Sequence, residues 1–101
     1  MKSTEKATQA AILEWLTWKR VFHWRQNSGA FRTERGGFYL IGIKGAPDIF
    51  AIKDGICYGI EVKDVKGRQN ENQIAFQQAF EEAGGVYILA KRLEDVYQIA
   101  A

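Results

Sequence analysis

Residues 47 to 63 read Pro-Asp-Ile-Phe-Ala-Ile-Lys-Asp-Gly-Ile-Cys-Tyr-Gly-Ile-Glu-Val-Lys, a stretch that can bring two carboxylates and a lysine to one spot. Ile49 to Lys53 and Ile56 to Val62 are apolar, β-branched runs, and Asp54-Gly55 between them is the strongest short signal for a two-residue hairpin turn. With Lys53 and Ile56 flanking the turn, Asp48 falls directly opposite Glu61. Side chains so paired lie roughly 4.5 to 5.5 Å apart, where like charges destabilise a sheet. Alternation along the strand puts Lys63 on the face of Glu61 and sends Tyr58, Ile60 and Val62 to the other. Two acids and a base therefore converge. Their oxygen donors suit Mg²⁺ or Mn²⁺, which bind through one or two carboxylates plus waters and phosphate oxygens. Such a site can acidify a water and offset charge on a phosphodiester, with Lys63 orienting that water or meeting charge at phosphorus. The plain alternative is a surface hairpin whose lysine neutralises two acids.

The elements that must position these groups follow from pattern. Residues 4 to 20 read as a helix capped by Ser3 or Thr4, with Ile12, Leu13 and Leu16 at helical spacing. Val21 to Arg25 reads as a short strand, Asn27 to Gly37 as a Gly-rich basic loop, and Phe38 to Ile43 as an apolar strand. After the hairpin and a loop at Lys66-Gly67-Arg68-Gln69, Asn70 caps a helix through Ala83, with Gln73 as its capping-box partner. Gly84-Gly85 stops that helix, Val86 to Ala90 is a buried strand, and Leu93 to Ala100 a short terminal helix. The helix between strands 56–63 and 86–90 is long enough for a crossover that makes the two strands parallel. The expected fold is a single α/β domain over residues 1–101, a mixed sheet flanked by helices.

Two polar residues sit on apolar stripes. At 100° per residue Glu5 lies within about 20° of Ile12 and so faces inward, and Gln73 shares a stripe with Phe76, Phe80 and Ala83. Buried polar groups need partners. If both helices pack on the face bearing Asp48 and Glu61, those partners are Lys63, a water held by the metal, or substrate. Otherwise Glu5 serves the helix dipole and Gln73 only the cap.

Composition limits the rest. Of the 101 residues 47% are hydrophobic, which excludes a disordered tail, and no apolar run approaches a membrane span. No basic-then-apolar signal opens the chain, and the single Cys57 cannot close an internal disulfide, so a reducing cytoplasm is the expected compartment. One cysteine and one histidine, His23, make neither a zinc site nor a convincing nucleophilic pair. Net charge is only +2, but residues 19 to 44 hold Lys19, Arg20, Arg25, Arg32, Arg35 and Lys44 against Glu34 alone. Interleaved with Trp24, Phe31, Phe38 and Tyr39, these cations can contact phosphates while the rings stack on exposed bases. Asn27, Lys66 and Arg68 complete the candidate nucleic-acid contacts; the alternative is a solvated basic loop.

Taken in order, Glu5, Arg25-x-Asn27-x-Gly29, Gly45-Ala46-Pro47-Asp48, Glu61-Val62-Lys63, and Gly67 with Gln73 resemble the VRR-NUC (virus-type replication-repair nuclease) branch of the PD-(D/E)XK superfamily. The likeness spans residues 5 to 90. It implies a restriction-endonuclease-like core and Mg²⁺- or Mn²⁺-dependent hydrolysis of DNA phosphodiesters. By position, Asp48, Glu61 and the carbonyl of Val62 would bind metal, Lys63 would serve the attacking water, and Glu5 and Gln73 would support the metal and its waters. Stand-alone members of this size resemble phage proteins of DNA replication and repair that form homodimers and act on branched DNA, including four-way junctions. Helix 4–20 is consistent with a homodimer on its own pattern, because Ala7, Ala11, Trp15 and Trp18 widen its apolar arc beyond one packing face. Two other readings share the fold: a DNA-binding or scaffold module that does not cleave, and a restriction-type endonuclease. Opposed acids near phosphate argue against the first, and the small room for base-reading elements against the second.

Overall fold

The computed structural model describes residues 4–26, 29–32, 34–41 and 43–100, of which 29–32 and 38–41 are described as backbone. Helix α1 spans Glu5–Trp18, with Thr4 Oγ1 accepting the Ala7 N–H at 3.0 Å as its N-cap. It ends where Arg20 turns left-handed (φ 59°) and the Val21 N–H reaches back to the Leu16 carbonyl, the closure glycine usually provides. Strand β1 follows at Phe22–Arg25, then β2 (Gly29–Arg32), β3 (Phe38–Ile41), β4 (Ile49–Lys53), β5 (Ile56–Val62), helix α2 (Glu71–Glu82), β6 (Val86–Ala90) and a 3₁₀ helix, Leu93–Ala100. The expected loop over 27–37 is thus partly strand: β2 pairs antiparallel with β3 as a separate two-stranded sheet. Four residues, Gly-Ala-Phe-Arg, give too little alternation for a strand signal, and only the pairing partner reveals it.

The main sheet has the order β1-β4-β5-β6, with β1-β4 and β4-β5 antiparallel and β5-β6 parallel across α2. This is a mixed α/β sheet. Asp54 (φ 53°) and Gly55 (φ 80°) both adopt positive φ, which two-residue hairpin turns of the primed type require. Lys53 pairs with Ile56 and Ile49 with Ile60, the register expected from that turn.

One face of the sheet, Ile49, Ala51, Tyr58, Ile60, Val62, Ile88 and Ala90, forms the core with Ile12 and Leu16 of α1 and Val96 and Ile99 of the 3₁₀ helix. Helix α2 occupies the other face, where Phe80 and Phe76 pack on Phe50 of β4. The two long helices therefore sandwich the sheet and do not share the Asp48–Glu61 face. Both stripes are apolar, and nothing in either sequence says which side of a sheet it will cover. Among the described residues no helix is long and apolar enough to cross a membrane.

The segment leading into Asp48 is pressed against α2. Gly45 has φ +83°, and a Cβ there would stand 2.2 Å from the Asn72 carbonyl oxygen. Gly36 has the same φ with nothing within 4 Å of its would-be Cβ. Gly36→Ala should therefore cost about 1–2 kcal/mol of stability, the left-handed penalty alone, whereas Gly45→Ala should cost clearly more in urea unfolding. Equal losses would mean that the 43–48 segment does not abut α2.

Candidate active site

Because a two-residue turn makes Lys53 and Ile56 a hydrogen-bonded pair, the alternation carries hydrogen-bonded pairs through 51/58 and 49/60 to 47/62, with 48/61 a closely spaced non-bonded pair between them. Pro47 interrupts that ladder. It has no N–H to give the Val62 carbonyl, and its buried ring lies over Gly59, where a Cβ would meet Pro47 Cγ at 3.0 Å. The Val62 N–H instead donates to Asp48 Oδ2 at 2.9 Å, while the Asp48 carbonyl accepts the Gln26 N–H at 2.7 Å. Asp48 is thereby held by the continuations of both neighbouring strands.

Glu61, on the adjacent position of β5, is only 4% exposed. Its Oε2 accepts a hydrogen bond from Gln73 Nε2 at 3.1 Å and lies 3.8 Å from Lys63 Nζ, while Oε1 is buried without a hydrogen-bond partner. Burial foremost, and next the Asp48 carboxylate, push the Glu61 carboxyl up to about 8; Lys63 opposes them and Glu5 adds to the rise. Asp48, Glu61, Val62 and Lys63 share the wall of one cavity of about 290 Å³ with Glu5, Lys6, Gln9 and Arg25.

Gln73 has two duties. Its Oε1 accepts the Asn70 N–H and its own N–H donates to Asn70 Oδ1, both at 2.9 Å, so the capping box is complete. An N–H can only donate, so the amide oxygen must face Asn70 and the NH₂ must face Glu61. The capping-box reading of this residue therefore holds, and the cap aims the remaining amide protons at the Glu61 carboxylate, not at Lys63. Glu5 lines the cavity but is exposed, contrary to the inward orientation read from its stripe. It stands in the first turn of α1, ahead of the turns that bury Ile12 and Leu16.

Of the candidate nucleic-acid contacts, Arg25 lines the cavity, while Arg35, Lys44, Lys66 and Arg68 are exposed away from its lining. Asn27 and the Arg32 side chain lie outside the described residues, as does Ser3, the alternative cap of α1. Lys6, Gln9 and Gln26 were not singled out by sequence. Gln9, four residues after Glu5, was readable as the next position on the same helical stripe; Lys6 and Gln26 carried no such signal. His23 is occupied structurally, with Nδ1 2.7 Å from the Val21 carbonyl, and register puts it on the sheet face opposite Cys57. The two cannot form a nucleophilic pair. Tyr87, whose phenol burial raises to about 12, stays a neutral hydroxyl and cannot act as a base.

Among the described residues no group of three or more His, Cys, Asp or Glu side chains is placed to hold a metal ion. Two carboxylates, of which Glu61 Oε1 is buried without a partner, and the Val62 carbonyl that Pro47 cannot bond give instead an open, all-oxygen donor set, which fits a hard divalent cation that keeps its waters. No protein-family model matches the chain, and no curated protein matches it.

The Glu61 carboxyl yields a pH signature. Between its ordinary 4.5 and about 8 the folded protein retains a proton that the unfolded chain has released, so stability is fully present at low pH and falls as pH rises through 8. Metal-free protein should lose stability between about pH 4.5 and about pH 8, and Glu61→Gln should flatten the decline. Parallel melting profiles for the two proteins would show that Glu61 titrates as an ordinary glutamate.

Proposed function

We propose that this protein is a metal-dependent DNA endonuclease of VRR-NUC type with a restriction-endonuclease-like core, hydrolysing phosphodiesters in branched DNA. The observation that carries the reading is the pairing of Asp48 with a buried Glu61 whose Oε1 lacks a partner, beside Lys63 and a cavity open to substrate. A sheet built only for stability gains nothing from setting a half-buried acid beside a buried one. Mg²⁺ or Mn²⁺ is the group that Asp48, Glu61 and the Val62 carbonyl suit, and when bound it supplies Lewis acidity toward water and phosphate. Glu61 must be ionised to serve as a ligand, and Gln73 and Lys63 stabilise that form. The Lys63 ammonium donates to the attacking water or to a phosphate oxygen, and Arg25 and Lys6 draw the phosphate into the cavity. Glu5 orders water at the cavity rim.

Substrate symmetry favours a homodimer. Trp15 is half buried and packs on Tyr97 with ring centroids 5.3 Å apart, but Trp18 remains 76% exposed. Together with Lys19, Gln98 and Ala100 they line an apolar groove of about 480 Å³. A second copy seated there buries Trp18 and presents two active sites to two strands.

Asp48→Asn and Glu61→Gln should abolish cleavage of labelled four-way-junction, flap and duplex DNA in Mg²⁺ or Mn²⁺ while keeping or tightening DNA binding. Lys63→Ala should lose cleavage and retain metal binding. Gln73→Ala should lose activity well beyond the ~1 kcal/mol of a lost cap. Wild-type protein that binds but cuts none of these substrates overturns catalysis and leaves a non-cleaving module; cleavage surviving Asp48→Asn overturns the site.

In sedimentation equilibrium at micromolar concentration, Trp18→Glu should convert a two-chain mass to one. A one-chain mass for both proteins overturns the dimer.

A further inference from the structure

Among the described residues, α2 covers only part of the sheet face that carries Asp48 and Glu61. Helix α2 packs chiefly on β6, and toward β1 only its Phe76 and Phe80 rings reach Phe50. Strand register sets Phe22 beside Ile52 and Trp24 beside Phe50, and the Gln26 N–H bonds to the Asp48 carbonyl. Alternation therefore aligns Phe22, Trp24 and Gln26 on one face in a row that ends at Asp48. Phe22 is 69% exposed and Trp24 39%. Their rings continue a ladder, Phe22 to Trp24 at 5.9 Å and Trp24 stacked on Phe50 at 5.4 Å. The indole is fixed at its polar end, where Nε1 donates to Gln26 Oε1 at 3.1 Å.

We propose that Trp24 and Phe22 form a stacking platform for unpaired bases of the DNA strand whose phosphate enters the Asp48–Glu61 cavity. The proposal rests on the nuclease reading and deepens it by naming the substrate class: a strand with unpaired nucleotides next to the cut. Exposed rings on an outer strand are costly unless something flat and apolar covers them. Bases offer π-faces irrespective of sequence, but only where they are not already stacked inside a duplex. Two residues along a strand span about 7 Å, so a base on Trp24 lies within reach of a phosphate at Asp48. Charge matches the same occupant: Lys6, Arg25 and Lys63 line the cavity into which the row leads. An apolar protein partner would have no use for those cations.

Equilibrium binding in EDTA, with Asp48→Asn as the parent protein, separates stacking from catalysis. The probes are labelled oligothymidylate of about 12 nucleotides, an equally long strand of abasic sites, and a blunt duplex. Trp24→Ala should weaken oligothymidylate binding about 5- to 150-fold and leave abasic-strand and duplex binding within about twofold. Phe22→Ala should give a smaller loss of the same kind, and Trp24→Phe should recover most of the affinity, which also shows that the fold is intact. Equal weakening on thymidylate and abasic strands, or no thymidylate binding by the parent, overturns the proposal. So does a result in which both alanine variants abolish self-association and leave DNA binding unchanged, since the rings then form an interface between copies. Lack of cleavage by wild-type protein is a separate outcome that condemns the nuclease reading alone, because the binding comparison involves no metal and no strand scission.

Discussion

Asp48 is tied to two strands through two different atoms: its carbonyl accepts from Gln26 and its carboxylate accepts from Val62. The carboxylate takes the place of the Pro47 carbonyl that an uninterrupted hairpin would have offered the Val62 N–H. Everything at this end of the sheet depends on that exchange. It fixes the acid without a partner lysine and leaves Lys63 for Glu61. Pro47, lacking an N–H for the Val62 carbonyl, takes away the other half of the 47/62 pair, and Gly59 and Gly45 make room for the segment that carries it.

The cost falls on Glu61. A carboxyl buried beside another is destabilising in proportion to its ionisation, and the fold offsets this only partly, through one amide and one ammonium at 3.8 Å. The amide comes from a helix end, whose cap satisfies the backbone at the same time. Such an arrangement concentrates instability at the cavity and leaves the apolar core on the opposite face undisturbed.

The hairpin was legible because period-two alternation and an Asp-Gly turn fix register to a single residue, and register alone brings Asp48 and Glu61 together. The parallel pairing of β5 with β6 followed from the length of α2. Helix faces were legible, but the side of the sheet each would choose was not, since Ile12 and Phe80 are equally apolar. That choice depends on tertiary packing, and it left Glu5 at the cavity rim instead of buried. Strand β2 was hidden by its brevity and glycine. The terminal segment was legible as helical, but not as 3₁₀, a distinction that rests on one hydrogen-bond offset over eight residues.

Phe80 anchors α2 in a socket of two glycines: side chains added at Gly59 or Gly85 would meet its ring at 3.2 and 2.5 Å. Gln73 lies seven residues away along the helix, about 10 Å. The ring is thus a fulcrum and the capped first turn the end of a lever arm. A tilt of about 5° there swings the Gln73 amide by about 1 Å, more than a hydrogen bond to Glu61 tolerates. The alignment of the acid is therefore set by the size of two glycines, one beneath the helix and one just past its end, and a single methyl group added at Gly85 detunes the site without touching any residue that lines it.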